Sequence, residues 1–145
     1  MSSENLQEQT TTPVVDIKIV SGSIWPWCFV GQKNLQEAMK LSKDEYKFNV
    51  TWHPFFLNSA IPEEGTDRKE YFKAKFGIDD ETKSPMFDRL TQVGKSVGIN
   101  FKRGDIVPNT FKSHQLIKYA GEIGKQNEVK KFDKNIFLTF FVNKS

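Results

Sequence analysis

Cysteine is the residue that this sequence has least of. Its 145 residues include one cysteine, Cys28. An internal disulfide therefore cannot form, and the disulfide framework of small secreted proteins is excluded. The two histidines, His53 and His114, are far apart in the sequence. With so few cysteines and histidines, the sequence gives no reason to expect a metal site.

Three further features are lacking, and each excludes a class of protein. No apolar run approaches the length that spans a bilayer, so no membrane association is expected. The N-terminus has neither the basic nor the apolar segment of a signal peptide, which predicts a cytoplasmic protein. The net charge of +3, from 21 basic and 18 acidic residues, is spread along the chain without a basic cluster. Nucleic acid is therefore not an expected partner.

The sequence does have the length of one domain and many aromatic residues. Thirteen phenylalanines in 145 residues predict an aromatic core. Residues 1–13 are polar and predict a disordered tail. The segment VVDIKIV at 14–20 and an alternating pattern at 46–52 predict two strands, and helical spacing over 29–41 predicts a helix between them. Residues 14–57 would then form a β-α-β unit with two parallel strands.

Residues 58–142 predict a helical segment with no further strand. Thr66 and Asp67 would begin a helix that stops at Gly77, and Ser84 with Pro85 would begin another that stops at Gly98. A third predicted helix runs from 109–110 to Gly124, and the last from about 127 to 142. The fold class is therefore α/β, with one β-α-β unit followed by a helical subdomain.

The last predicted helix carries a broad apolar face. Its members are Phe132, Ile136, Phe137, Phe140 and Phe141. Burying one phenylalanine is worth roughly 1.5–3 kcal/mol, so this face is expected to be covered. The other helices could cover it. Alternatively, further chain, a protein partner or a second copy could do so.

The segment most informative about chemistry is 23–31, between the first strand and the first helix. Its notable residues are Pro26, Trp27, Cys28, Phe29 and Gly31. Further along, 50–58 reads VTWHPFFLN, with Pro54, Phe55 and Asn58. This ordered series, continued by similarities up to residue 142, resembles DsbA-like oxidoreductases of the thioredoxin superfamily. Within this superfamily it resembles the FrnE and 2-hydroxychromene-2-carboxylate isomerase type.

The resemblance implies a thioredoxin-like fold and a redox motif Cys-Pro-Trp-Cys at 25–28. Trp25 stands where the family has its first, nucleophilic cysteine, so Cys28 would be the remnant of a catalytic pair. The resemblance implies a substrate-binding or motif role for Trp25, Pro26, Trp27, Pro54, Phe55 and Asn58. The chain also ends before the family's second half, which carries a cis-proline loop, so we expect a truncated domain.

Three functional hypotheses follow. The first is an oxidoreductase family member with impaired redox chemistry, because a dithiol cycle needs two thiols within disulfide distance. The second is an enzyme similar to kappa-class glutathione transferases and the related isomerases, in which Cys28 would hold glutathione. The third is a non-catalytic binding module. Apart from glutathione under the second hypothesis, no cofactor is expected.

Several of these residues also have a plainer interpretation. A lone Cys28 is often a buried, inert side chain. Trp25 and Trp27 could be core aromatics. His53 is expected at a strand end or on the surface, and His114 half exposed on a helix. Glu63 and Glu64 are expected to be solvated charges in a loop.

Overall fold

The computed structural model describes residues 11–101 and 104–126, apart from the side chain of Thr82. Most of the predicted N-terminal tail, the last predicted helix and its five-residue apolar face lie outside the described residues. Within them the chain is α/β, as the sequence predicts. No helix in these ranges combines the length and the apolar character that crossing a membrane requires.

The predicted β-α-β unit is present. Strand β1 (Val14–Ser21) leads into helix α1 (Pro26–Leu41), which leads into strand β2 (Lys47–Pro54). The two strands pair in parallel, with Val14 opposite Lys47 at one end and Ser21 opposite Pro54 at the other. Exposure alternates along β2, so one face of the sheet is covered and the other faces solvent. Helix α1 begins three residues earlier than predicted because Pro26, lacking an N–H group, suits the first helical position.

The second part of the chain follows the predicted helix boundaries. It contains a short strand β3 (Thr66–Asp67), helix α2 (Arg68–Phe76), a 3₁₀ turn (Glu81–Lys83), helix α3 (Pro85–Ser96), a short strand β4 (Ile106–Val107) and helix α4 (Phe111–Glu122).

Local signals determine where α2 and α3 begin and end. The Asp67 carboxylate accepts a hydrogen bond of 3.0 Å from the backbone N–H of Glu70, which caps α2. The Ser84 hydroxyl accepts one of 3.3 Å from the N–H of Met86, which caps α3. Gly77 ends α2 with φ +67°, a conformation that glycine adopts without strain. These are the predicted boundaries.

The expectation of no strand after β2 is wrong. Strands β3 and β4 pair antiparallel, with Thr66 opposite Val107 and Asp67 opposite Ile106. A two-residue ladder is too short to produce a periodic sequence signal, and here it joins segments about 40 residues apart in sequence. The ladder ties the start of α2 to the segment before α4.

The core forms two aromatic clusters, as the phenylalanine content predicts. Phe29 of α1 packs with Ile99, and Phe101 lies against them. The second cluster contains Tyr71 and Phe72 of α2 with Val107 of β4. The β1–α1 connection lies against both clusters and therefore joins the β-α-β unit to the helical segment.

Helix α4 lies against β2, and Gln126 follows it. The Gln126 side-chain amide accepts a hydrogen bond of 3.0 Å from the N–H of Trp52 and donates one of 3.0 Å to its carbonyl. This amide therefore pairs with the outer edge of β2 as a backbone residue of a neighbouring strand would.

Candidate functional site at the start of the first helix

The predicted motif lies in the turn between β1 and α1. Trp25 is the N-cap residue of α1 with an extended backbone (φ −79°, ψ 124°), and Pro26 is the first helical residue. The backbone N–H of Cys28 donates a hydrogen bond of 2.9 Å to the Trp25 carbonyl. Trp25 and Cys28 therefore sit at the two ends of one turn, the arrangement that a Cys-x-x-Cys pair at a helix start requires.

Cys28 is a partly buried, free thiol in the first turn of α1. That turn contains no acidic side chain, and Trp25 makes no side-chain capping bond. The thiol therefore lies near the positive end of the helix dipole with no carboxylate in the same turn. Partial burial leaves it more accessible than the fully buried, inert cysteine considered from the sequence.

Trp25 is a packed side chain. It lies against the cluster of Tyr71, Phe72 and Val107. Trp25 also lines two small adjacent hollows. Its packing on this cluster anchors the turn to the helical segment.

The structure divides the other predicted site residues between these hollows. Trp25, Phe55 and Asn58 line one of them together with Ser23 and Thr110. Phe55 is 51% exposed, and Asn58 holds its loop by accepting a 3.0 Å hydrogen bond from the N–H of Ala60.

Pro26 and Trp27 line the other hollow with Trp25. Pro54 and Cys28 line neither of the two. Pro54 is the last residue of β2 and lies opposite Ser21. The structure thus brings five of the seven predicted residues to two hollows that share Trp25.

A buried ion pair beside Trp25 and Trp27 was not predicted from the sequence. Arg68 Nε and Nη2 donate to the two carboxylate oxygens of Glu81 at 2.8 Å each. The side chains are 13% and 9% exposed, and the guanidinium lies 5.0 Å from the centre of the Phe72 ring. Both residues line the same hollow as Trp25 and Trp27. A charge pair 13 residues apart in sequence gives no local signal.

Two serine hydroxyls connect the turn between β1 and α1 to α4. Ser23 is 1% exposed, and its Oγ lies 2.7 Å from Ser113 Oγ. Ser113 donates to the Thr110 carbonyl at 2.9 Å, so Ser23 is the donor between the two hydroxyls.

The expectation that His114 is half exposed is wrong. It is 2% exposed, and its ring meets that of Phe56 edge-on at 4.6 Å. It shares the buried face of α4 with Ile117 and Ala120 at three-residue steps, so the helical period places it inward. His53 is exposed, in line with one of its two expected positions. In 11–101 and 104–126 no three histidine, cysteine or carboxylate side chains form a group that could hold a metal ion.

Glu63 and Glu64 are exposed loop residues, as expected. Glu63 also forms an ion pair with Lys112 of α4. The hydrogen bond and the charge of Lys112 lower the pKa of the Glu63 carboxyl, and Glu63 in turn raises the pKa of Lys112.

Comparisons with known proteins agree with this geometry. The family model of the DSBA-like thioredoxin domain matches residues 16–137. A crystal structure of a probable DsbA oxidoreductase from Streptomyces coelicolor is similar, with a TM-score of 0.68 and 22% sequence identity. The similarity covers 88% of this chain and 55% of the other, so this chain spans a little over half the length of that structure. No curated protein matches the sequence. With a family match over most of its length, the chain belongs to the DSBA-like thioredoxin-domain family.

Proposed function

We propose that this chain is a thiol-disulfide oxidoreductase family member that cannot complete a dithiol cycle. The observation that carries the proposal is the pairing of Trp25 with Cys28 across the first turn of α1. The ordered matches at 26–31 and 50–58 support a relative of the FrnE type. A single free thiol suits a reducing compartment, which supports a cytoplasmic location for this protein.

The number of thiols in the chain limits the redox chemistry that it can perform. In a dithiol oxidase a substrate thiolate attacks the protein disulfide, a mixed disulfide forms, and the second substrate thiol releases the reduced protein pair. Cys28 can form a mixed disulfide, but the chain has no second cysteine with which to form or re-form an internal disulfide. The residue one turn before Cys28 is Trp25, which packs against Tyr71 and Phe72.

A disulfide-reduction assay separates this proposal from a glutathione-dependent enzyme. Wild-type chain and Cys28→Ser are incubated with a protein disulfide substrate, first alone and then with glutathione. We expect the two proteins to match in both conditions, with no catalysed reduction when they are alone and with the rate of glutathione alone once it is added. A glutathione-dependent rate that the wild type shows and Cys28→Ser lacks would overturn the proposal in favour of a glutathione-dependent enzyme.

A further inference from the structure

Three consecutive residues, 23–25, form the turn that leads from β1 into α1, and we call them the motif turn. Ile24 packs against both core clusters, and Trp25 packs against the second of them. Ser23 makes a polar contact instead, because its Oγ lies 2.7 Å from Ser113 Oγ of α4. This contact, the serine bridge, joins residues 90 apart in sequence. The motif turn is therefore held by apolar packing at two positions and by a directional hydrogen bond at the third.

The start of α4 also holds the loop that follows β2. The Asn109 side-chain amide donates a hydrogen bond of 2.6 Å to the Ile61 carbonyl. The Oδ1 atom of the same amide accepts one of 2.8 Å from the N–H of Phe111. Asn58 of this loop lines one hollow together with the motif turn. The start of α4 thus connects the two segments that form this part of the candidate site.

The hydrogen bonds of Ser113 fix the direction of its hydroxyl. A serine hydroxyl has one hydrogen to donate and two lone pairs that accept. Ser113 donates its hydrogen to the Thr110 carbonyl at 2.9 Å, so it offers a lone pair to Ser23. Ser23 is 1% exposed. Without this acceptor its hydroxyl would be a buried donor that meets water only when the motif turn opens, and leaving such a donor unpaired is costly.

The position of Cys28 depends on the motif turn. The backbone N–H of Cys28 donates a 2.9 Å hydrogen bond to the carbonyl of Trp25, the last residue of that turn. Cys28 is partly buried, so movement of the turn changes how easily a reagent reaches the thiol. We propose that Ser113 is a positioning residue of the candidate site, which fixes the motif turn through Ser23 and thereby limits the access of disulfides to Cys28. This inference rests on the proposed function in taking 25–28 as the redox motif of the family.

The reaction of Cys28 with dithiodipyridine measures this access. The Cys28 thiolate attacks one sulfur of the reagent, the S–S bond breaks, a mixed disulfide forms on Cys28, and the released thiolate takes up a proton as thiopyridone. Because the chain has one cysteine, thiopyridone release reports on Cys28 alone. Ser113→Ala removes the acceptor of the buried Ser23 hydroxyl and favours opening of the turn. We expect it to accelerate the reaction about fivefold or more.

Two further variants separate the hydrogen bond from the loss of a side chain. Ser113→Thr keeps a hydroxyl at the same position and should restore the wild-type rate. Ser23→Ala removes the donor itself, so no buried donor is left unpaired. It should therefore accelerate the reaction less than Ser113→Ala does. Ser23→Ala also keeps the test available if Ser113→Ala does not fold.

A destabilised variant away from the motif turn provides the matched control. Gln126→Ala loses two hydrogen bonds to Trp52 beyond the other end of α4, and its reaction rate should stay within about twofold of the wild type. A merely structural role of Ser113 would accelerate both variants alike, in step with their unfolding free energies in urea.

Two results would overturn the proposal. One is a rate in folded Ser113→Ala, or in Ser23→Ala where Ser113→Ala does not fold, that equals the wild-type rate. The other is an equal acceleration in Gln126→Ala. Neither result bears on the proposed function, because a mixed disulfide on Cys28 needs no second thiol. Conversely, dithiol turnover by the wild type would refute the proposed function without changing these relative rates.

Discussion

Replacing Trp25 by cysteine creates two thiols three residues apart at the start of α1. The hydrogen bond between the N–H of Cys28 and the carbonyl of residue 25, at 2.9 Å, closes a turn. The two Cα atoms of such a turn lie within about 7 Å of each other, close to the 4.4–6.8 Å range of disulfides. We therefore expect Trp25→Cys to form an internal disulfide under mild oxidation.

Two opposing contributions determine the stability of this variant. Truncating a fully buried tryptophan costs about 3–5 kcal/mol. Trp25 is partly buried against Tyr71 and Phe72, so we expect the reduced variant to lose about 2–3 kcal/mol of unfolding free energy. A disulfide that closes a four-residue loop recovers about 2 kcal/mol. The oxidised variant should therefore lie within about 1 kcal/mol of the wild type.

Urea unfolding with and without reductant, together with counting of free thiols, measures both contributions. Trp25→Ser is the matched control, because it removes the same contacts and adds no thiol. Its unfolding curve should not depend on reductant. If both thiols of Trp25→Cys stay free under oxidant and its two unfolding curves coincide, the turn does not have the geometry of a redox pair.

Three more perturbations test other parts of the structure. Glu81→Ala removes both hydrogen bonds that the Arg68 guanidinium donates to Glu81, which should cost about 1.5–3 kcal/mol in urea unfolding. Gln126→Ala removes the two hydrogen bonds to the edge of β2 and should cost about 1–3 kcal/mol. Lys112→Met should raise the pKa of Glu63 toward 4.5 in an NMR titration. Lys112 lowers the pKa of Glu63 in the folded state. The stabilisation from this ion pair is therefore fully present at neutral pH, and it is lost as the pH falls and Glu63 is protonated.

Gln126→Ala has a matched control on α4, the helix that Gln126 follows. Gln115→Ala changes an exposed glutamine on α4 and should leave unfolding within about 0.5 kcal/mol of the wild type. If Gln126→Ala costs no more than this control, the amide does not hold the edge of β2. An unchanged Glu63 pKa in Lys112→Met would contradict the ion pair, and a Glu81→Ala cost below about 1 kcal/mol would contradict burial of the charges.

Helix ends were predictable from the sequence because their signals are local. Asp67 and Ser84 cap their helices through backbone groups two or three residues away. Gly77 stops α2 through its own backbone freedom. Each depends on a few adjacent residues, so each is visible in a single sequence.

Features that depend on distant contacts were not predictable in the same way. The ladder between Thr66 and Val107 and the ion pair between Arg68 and Glu81 each join segments that the fold brings together. His114 is an intermediate case. Its helical period with Ile117 predicts an inward side chain, whereas the polarity of histidine favoured partial exposure.

The candidate site likewise has one part that the sequence predicts and one part that depends on the tertiary fold. The position of Cys28 one turn after Trp25 follows from sequence spacing alone. The packing of Trp25 on α2 and its place between two hollows come from the tertiary fold. The structure therefore adds that Trp25, at the first position of the motif, packs against a core cluster.

The central claim is that this chain cannot complete a dithiol cycle. The most direct test measures how fast a dithiol peptide is oxidised to its disulfide in the presence of the wild-type chain, with a small disulfide as oxidant and no glutathione. The account predicts that the peptide is oxidised at the rate of the oxidant alone, and that Cys28→Ser gives the same rate. Catalysis by the wild type that disappears in Cys28→Ser would contradict it.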